Sequence, residues 1–276
     1  MPELPDLEYI RKNLAPLLPG RRIIEVSVKE PIVLRMLVAG SFAGALSGKT
    51  FSGILRRGPF LSFALDGVEM VIHHMLSGRL QLAPKEEKPV GHLCFSAVLD
   101  NEWRLAYGDD TRMGKVYLTE PGRHDGIPGY DAQGIDILSP EFTWDAFEPL
   151  LRGSRQQARV FIMDQTALSA VGNAYADEIL FAAGIHPKTP CGMLSPEKRR
   201  ALFESIRSVI AWGIREVENA GRPIEEKVRG HMKVRNRKGE PCPVCGTTIR
   251  RVGVHGYDSF FCPRCQEAAK EQKIPW

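Results

Sequence analysis

The sequence contains no run of about eighteen apolar residues, which excludes an ordinary membrane-spanning helix. Its first residues lack the basic and apolar regions of a secretory signal peptide, so we expect an intracellular protein. Internal repeats and low-complexity tracts are also missing. The 276 residues are 43% hydrophobic and 25% charged, which is typical of a globular protein with room for two domains and a small third.

Cysteine is scarce, and its placement is informative. Four of the six cysteines form two pairs, separated by sixteen residues, and in an intracellular chain such pairs favour a metal site over disulfides. The pairs predict one structural zinc with four thiolate ligands, which leaves no open position for catalysis. Gly246 follows the second cysteine, as in a zinc-knuckle turn. The two cysteines outside the pairs, Cys94 and Cys191, are expected to be plain buried thiols. The predicted ligands are Cys242, Cys245, Cys262 and Cys265.

Acidic residues are few between Arg222 and Arg251, where nine Lys or Arg face three Glu, and the whole chain carries a formal net charge of +4. A solvated basic surface has the same composition. A concentrated excess of this kind nevertheless suits binding to phosphates.

Hydrophobic patterning changes along the chain. Short segments rich in Val, Ile, Leu and Phe over about 120 residues predict a sandwich or barrel, preceded by a helix over 7–18. Helical periodicity follows from about Ser139, and Ser195 with Pro196 marks the start of a long helix over 196–220. The predicted strands are 23–28, 50–55, 61–65, 69–73, 94–99, 103–107 and 115–118; the other predicted helices are 143–150, 155–164 and 174–182.

The chain opens Met1-Pro2-Glu3-Leu4-Pro5. A small second residue permits removal of Met1, which would leave the secondary amine of Pro2 as the terminus. An α-amino group titrates near ~8, so a useful fraction is nucleophilic at neutral pH. Such an amine can attack a sugar's anomeric carbon and hold the product as a Schiff base, and Glu3 could move the protons. Many solvated chain ends share this dipeptide.

Four motifs occur in a fixed order: the opening PELPDLE, the segment from Asp164 through VGNAYADE, the sequence AGIHP at 183–187, and the two cysteine pairs ending at Gln266. Together they closely resemble the formamidopyrimidine-DNA glycosylase / endonuclease VIII family. The resemblance implies an α+β multidomain protein: an N-terminal β-sandwich with flanking helices (1–130), a helix–two-turn–helix domain (131–226), and a basic linker with a zinc-finger hairpin (227–276). The resemblance implies that DNA binds in the cleft between these domains.

In this family the N-terminal proline forms the Schiff base and the adjacent glutamate assists proton transfer, positions matched by Pro2 and Glu3. Asn173 matches a phosphate contact before a helix, although it could simply cap that helix. The stretch 73–78 resembles the family motif HLGMSG. By this resemblance His73 lies near DNA; the alternative is that it is simply a histidine of the protein core. Leu76 takes the place of the apolar side chain that fills the gap left by the flipped nucleotide.

Further contacts are implied by the same resemblance. The segment 109–114 stands where the family has DPRRFG, so Arg112 matches a phosphate contact and Met113 replaces the inserted phenylalanine. Thr111 replaces the family arginine that fills the duplex beside the estranged base, which is the base left without its partner when the damaged nucleotide flips out. His92 matches another DNA contact of the family. In the alignment of motifs, Arg159 is close to the position of a family lysine that binds the DNA backbone.

At two positions this sequence departs from the family pattern by lacking a positively charged side chain. Pro59 replaces the lysine of the family's RRGK motif, which contacts DNA at the lesion. Tyr257 replaces the zinc-hairpin arginine that grips phosphates around the lesion and is implicated in the second elimination, so its DNA contact lacks a fixed charge. We expect δ-elimination to be weak or absent. Arg57, Arg250 or Arg251 could compensate.

The sequence therefore predicts a DNA glycosylase and AP lyase of base-excision repair, acting by β-elimination on oxidised or ring-opened bases. Its expected partner is double-stranded DNA carrying a damaged base or abasic site, and we expect a cytoplasmic, nucleoid-associated monomer. A non-catalytic or altered-specificity DNA-binding paralogue is the alternative. A zinc-ribbon transcription factor would not use the N-terminal motif.

Overall fold

The computed structural model describes residues 1–267. The chain forms two compact units, Met1–Ala132 together with Ile214–Val228, and Gln133–Gly213 together with the chain from Arg229 onward. The long helix over 196–220 thus contributes residues to both units. Among residues 1–267, no helix is both long and apolar enough to cross a bilayer.

The first unit is built on two β-sheets. One has four strands in the order β1-β7-β8-β6, and the other has five in the order β2-β9-β5-β4-β3. Most neighbours are antiparallel, as expected for a sheet with one face on a core. The strands are β1 Ile23–Val28, β2 Leu34–Met36, β3 Phe51–Arg57, β4 Phe60–Leu65, β5 Val68–His73, β6 Gly78–Pro84, β7 Leu93–Leu99, β8 Trp103–Asp109 and β9 Lys115–Thr119.

Helix α1 (Leu4–Leu14) closes the first unit's core. Leu7, Ile10 and Leu14 recur at helical spacing, are at most 3% exposed, and pack in the same cluster as strand residues such as Phe63 and Phe95. A short helix α2 (Phe42–Leu46) begins at Ser41, whose hydroxyl accepts a hydrogen bond from Gly44 N. The N-terminus of the chain is therefore anchored by a buried helix.

The second unit is mainly helical. Helix α5 ends at Gly184, whose φ of 61° a residue without Cβ adopts at little cost. Helix α6 follows Ser195, whose hydroxyl accepts from Lys198 N, which supports the predicted N-cap. The helices are α3 Trp144–Gly153, α4 Ala158–Met163, α5 Asn173–Ala183 and α6 Pro196–Ala220, with short strands β10 Ile135–Asp136 and β11 Leu168–Ser169.

A two-stranded hairpin completes the second unit. Strands β12 (Arg250–Val254) and β13 (Tyr257–Phe261) pair antiparallel, with Val254 opposite Tyr257 at the tip. Phe181 of α5, Ile249 and Phe260 pack with Cys242 and Cys262 in one buried cluster. The predicted arrangement of sandwich, helices and zinc hairpin is confirmed.

Candidate active site and nucleic-acid interface

The chain terminus lies beside the β5–β6 turn. The amino group of Met1 donates to Leu76 O at 2.9 Å, and Lys227 Nζ donates to the same oxygen at 3.1 Å. Pro2 is buried, and Glu3 is 6% exposed. Two amines therefore donate to one carbonyl oxygen.

Helix α1 fixes this terminus in place. The Asp6 carboxylate accepts from Glu3 N at 2.8 Å in a capping box at the start of the helix. One turn on, Glu8 accepts from Arg56 Nε at 2.6 Å, which joins α1 to β3. Although burial opposes ionisation, hydrogen bonds from Arg11 and Arg56 hold the pKa of Glu8 below its ordinary value. Pro2 thus directly precedes the N-cap of a helix that is held at that cap and in its second turn.

Two consecutive histidines, the last residue of β5 and the residue after it, lie near the terminus. His73 Nδ1 accepts from Met75 N at 3.1 Å, and burial lowers the pKa of His73 to about 4. His74 is fully buried; burial and the positive charges of its neighbours lower its pKa to about 3. Both side chains are therefore neutral at pH 7.

The turn carrying Leu76 and the loop carrying Met113 are held together by Asp109. Its carboxylate, 0% exposed, accepts from Ser77 Oγ, from Thr111 N at 3.1 Å and from Gly114 N at 2.6 Å. Leu76 and Met113 are 57% and 42% exposed. The structure thus brings the predicted wedge Leu76 and Met113, which stands where the family has an inserted phenylalanine, onto neighbouring loops that are bonded to each other.

Both loops contain non-glycine residues in the left-handed region, Met75 at φ 49° and Arg112 at φ 54°. Such conformations are uncommon outside glycine and cost energy, so the surrounding hydrogen bonds must hold them. His92 Nε2 lies 2.7 Å from Glu30, which also lies 3.8 Å from Arg112. The predicted contacts His92 and Arg112 therefore share one carboxylate.

The region of the missing lysine is a tight turn. Gly58 and Pro59 link β3 to β4, Gly58 has φ 52°, and Pro59 is buried. Arg57 Nε donates to Tyr130 O at 2.9 Å, and its guanidinium lies over the Tyr130 ring. Arg57 is thus engaged by main chain and ring in the first unit.

In the second unit, a buried carboxylate organises the start of α5. Asp177, 0% exposed, accepts from Arg159 Nε at 3.2 Å and from Arg235 Nη1 at 2.8 Å. Arg159, 1% exposed, also donates to Asn173 Oδ1 at 2.7 Å. The hydrogen bond from Arg159 orients the Asn173 amide, so both predicted residues belong to one network.

The zinc-hairpin position Tyr257 lies at the start of β13 and is 57% exposed. The next residue, Asp258, pairs through its carboxylate with Arg251 at 2.9 Å, while its carbonyl accepts from Arg159 and Arg235. The hairpin tip is thereby attached to the same network as Asn173.

Comparison with known proteins agrees with this arrangement. Three family models match the chain. The formamidopyrimidine-DNA glycosylase N-terminal domain matches residues 1–116, the formamidopyrimidine-DNA glycosylase H2TH domain matches 133–222, and the zinc finger found in FPG and IleRS matches 239–268. The formamidopyrimidine-DNA glycosylase of Symbiobacterium thermophilum is 37% identical over 275 residues, covering 96% of this chain and 89% of that protein. This chain belongs to the formamidopyrimidine-DNA glycosylase family.

Other members are similar over comparable lengths. The Chloroflexus aurantiacus protein is 34% identical over 277 residues, covering 96% of this chain and 98% of that one. The structure of Thermus thermophilus Fpg superposes with a TM-score of 0.84 at 31% identity, covering 97% of this chain and 100% of that chain. Lactococcus lactis Fpg, solved with DNA containing an abasic site, gives 0.87 at 26% identity, with the same coverage. Like its relatives, this family member is a base-excision DNA glycosylase, and AP-lyase chemistry through a Schiff base is general to the family.

This family member binds one structural zinc. The four sulfurs of Cys242, Cys245, Cys262 and Cys265 lie within 4.8 Å of one another. A tetrahedral zinc with Zn–S bonds of about 2.3 Å requires S···S distances of about 3.8 Å, which the site fits. The side chain of Gln266 is fully buried; its Oε1 accepts from Cys262 N at 2.9 Å and its Nε2 donates to Ile185 O at 2.9 Å. These two bonds attach the second cysteine pair to the chain just after α5.

Sequence reasoning missed several residues of these networks. In the sequence, Lys227 is one of nine basic residues between 222 and 251, and Asp177 and Glu178 are the last two residues of VGNAYADE. Arg235 likewise has no local signal, because its partner Asp177 lies 58 residues away. Asp109 begins the segment that stands where the family has DPRRFG, and nothing local indicates that its carboxylate bonds two loops. Only the three-dimensional structure shows which charges these residues meet.

Proposed function

We propose that the mature protein, with Met1 removed, excises damaged bases from duplex DNA by attack of the Pro2 nitrogen on C1′ of a flipped nucleotide. The observation that carries this proposal is the position of the residue next to Pro2: the amine of Met1 donates to the carbonyl oxygen of the exposed Leu76 at 2.9 Å. A base stacked in a duplex shields its sugar carbon, so the nucleotide must leave the stack before reaction. An apolar side chain beside the nucleophile is suited to fill the gap left behind.

The chemistry proceeds in balanced steps. As the nitrogen bonds to C1′, the damaged base departs and takes up a proton. The nitrogen loses its own hydrogen, and the C1′–O4′ bond then breaks with a proton taken up by O4′. The product is a cationic Schiff base (an iminium ion), which acidifies the C2′ hydrogens. Loss of one of these protons expels the 3′ phosphate and nicks the strand by β-elimination. Glu3, the only acid directly next to the nucleophile in sequence, is proposed to move these protons.

Lys227 is proposed to supply the positive charge that Pro59 cannot. Its Nζ lies 3.1 Å from the Leu76 oxygen, which also accepts a hydrogen bond from the amine of Met1, the residue next to Pro2. A cation there favours phosphate near the reacting sugar and disfavours a second positive charge on the amine. The wedge, nucleophile and cation would then occupy one small region of the first unit.

Oxidised and ring-opened bases are the proposed substrates, in double-stranded DNA, and the protein is proposed to act as a monomer within the cell at the nucleoid. Solved complexes of Lactococcus lactis Fpg contain abasic-site DNA, N7-benzyl-Fapy-dG and an oxidised pyrimidine. Because Tyr257 lacks the fixed charge of an arginine, we propose that elimination stops mainly at the β product.

A panel of lesion duplexes tests this function. Ring-opened purine, oxidised purine, oxidised pyrimidine and abasic duplexes are incubated with the zinc-loaded protein, and base release and strand nicks are measured separately. Base release with β-type nicks on at least one base lesion is the expected result. Binding without release or nicking on every duplex would instead identify a non-catalytic DNA-binding paralogue, which the changes at Pro59 and Tyr257 favour.

A further inference from the structure

Tyr257 leaves the zinc hairpin without a cation at the position where the family uses arginine. We infer that Arg235, in the segment before the hairpin, supplies that charge to the DNA phosphate held at Asn173. This inference rests on the proposed function, because it names a further residue of the same DNA site. It concerns a side chain that no sequence motif singled out.

The first support is position. Arg235 Nη1 donates to Asp258 O at 3.0 Å and to Asn173 O at 3.4 Å. The guanidinium thus touches both the residue after Tyr257 and the residue proposed to bind phosphate. It also lies over the Phe260 ring, 5.2 Å from the centroid, a contact that holds the planar group in one orientation.

The second support is charge balance. Two guanidinium groups, those of Arg159 and Arg235, bond to the single carboxylate of Asp177 at 3.2 and 2.8 Å. Asp177 additionally accepts from Ser259 Oγ at 2.6 Å and from Phe260 N at 3.2 Å. Asp177 neutralises only one of these two positive charges, and the neighbouring Glu178 carboxylate bonds to backbone N–H groups rather than to either guanidinium. The charge that Asp177 leaves over lies near the start of α5, where the helix dipole adds positive potential. Such a surplus is unfavourable unless solvent or an anion offsets it.

The third support is rigidity combined with spare hydrogen-bonding capacity. The Glu178 carboxylate, 2% exposed, accepts from the backbone N–H of Lys233, Val234 and Arg235 at 3.0, 2.9 and 2.9 Å. All hydrogen bonds of the Arg235 side chain within residues 1–267 use Nη1. Nε and Nη2 therefore remain to donate, and the side chain is 19% exposed. Arginine's fixed fork is suited to binding two phosphate oxygens at once.

The other arginines that could supply this charge fit less well. Arg251 forms an ion pair with the Asp258 carboxylate at 2.9 Å, and both side chains are about half exposed. Arg57 belongs to the first unit and donates to the Tyr130 and Asp131 carbonyls. Arg250 is exposed on β12 and is a suitable control, because its removal changes the net charge equally.

The test compares Arg235→Gln with Arg250→Gln in the full, zinc-loaded protein. Binding to a duplex containing a tetrahydrofuran abasic analogue is measured across salt concentrations. Arg235→Gln is expected to weaken binding about tenfold or more at moderate salt and to reduce the slope of log K against log salt by about one. Arg250→Gln is expected to change both much less. Zinc content and thermal midpoint are measured to check folding.

A second pair of variants keeps the test valid if Arg235→Gln folds poorly. Arg235→Lys keeps the charge and loses the fork, so the salt slope should persist while affinity falls. Adding Tyr257→Arg to Arg235→Gln should restore affinity, because it returns a cation to the hairpin. Equal effects of the Arg235 and Arg250 changes, or no recovery with Tyr257→Arg in a folded protein, would overturn the inference. Schiff-base trapping by the unaltered protein reports on the proposed function separately.

Discussion

His74 is an unusual residue for the interior of a sheet protein. It is fully buried, and neither ring nitrogen has a hydrogen-bond partner within residues 1–267. The hydroxyl of the nearby Tyr107 is also buried without a hydrogen-bond partner in that part of the chain. Burying polar groups without partners costs about 1–3 kcal/mol each. For its sequence neighbour His73 the resemblance predicts a position near DNA, but the environment of His74 follows from packing that no local pattern encodes.

Replacing His74 by leucine should stabilise the protein. At pH 7 we expect His74→Leu to raise the free energy of unfolding by about 1–3 kcal/mol. Below pH 6.5 the unfolded histidine binds a proton, whereas the folded one, with a pKa lowered to about 3, does not. The unaltered protein should therefore lose roughly 1.4 kcal/mol per pH unit from this residue as the pH falls.

Urea unfolding at pH 7 and pH 5 measures this effect. The stability difference between His74→Leu and the unaltered protein should widen by roughly 2 kcal/mol at the lower pH. His255→Asn is the control, because His255 is exposed and asparagine tolerates its φ of 47°. A difference that stays constant with pH would show that His74 is protonated in the folded protein.

Lys227 gives a residue-scale test of the site around the terminus. Lys227→Gln should lower the rate of nicking on abasic duplexes about tenfold or more, since it removes a charge beside the nucleophile. Lys227→Arg should retain more activity. Lys238→Gln, which removes an exposed charge from the same basic stretch, serves as the control. Equal losses in Lys227→Gln and Lys238→Gln would mean that only overall charge matters.

At the scale of elements, prediction succeeded where local pattern and packing agree. Strand β1 and helix α6 have the predicted bounds, 23–28 and 196–220. Strand β6 (Gly78–Pro84) was missed, because Gly, Gln, Ala and Pro are poor strand formers; seven residue pairs with β8 make it a strand. Helix α1 starts at Leu4 rather than residue 7, because the capping box and Pro5 favour the earlier start.

Helix α5 and the segment 233–235 are joined through Glu178, and this link is testable. Burial raises the pKa of Glu178 even though three backbone N–H groups donate to it. Glu178→Ala leaves those donors without their acceptor and should cost at least about 3 kcal/mol of stability. Amides 233–235 should exchange hydrogen much faster. Glu204→Ala, an exposed site on α6, should change neither quantity; unchanged exchange in Glu178→Ala would refute the anchoring role.

For the whole molecule, the motifs predicted the family, the three structural parts and the zinc, because each depends on residues close in sequence. The compact units do not follow chain order, since residues 214–228 belong with the first unit. Continuous helical periodicity through α6 concealed this. The division at residues 130 and 226 stays a prediction, as do the individual DNA contacts.

The most direct test of the central claim is borohydride trapping on an abasic duplex, followed by mass spectrometry of the linked peptide. Pro2→Gly is the matched variant, since it also permits loss of Met1 but leaves a primary amine. We predict that the adduct of the unaltered protein maps to a peptide beginning at Pro2 and that Pro2→Gly traps much less. Equal trapping by both proteins, or an adduct on Lys227, would contradict the account.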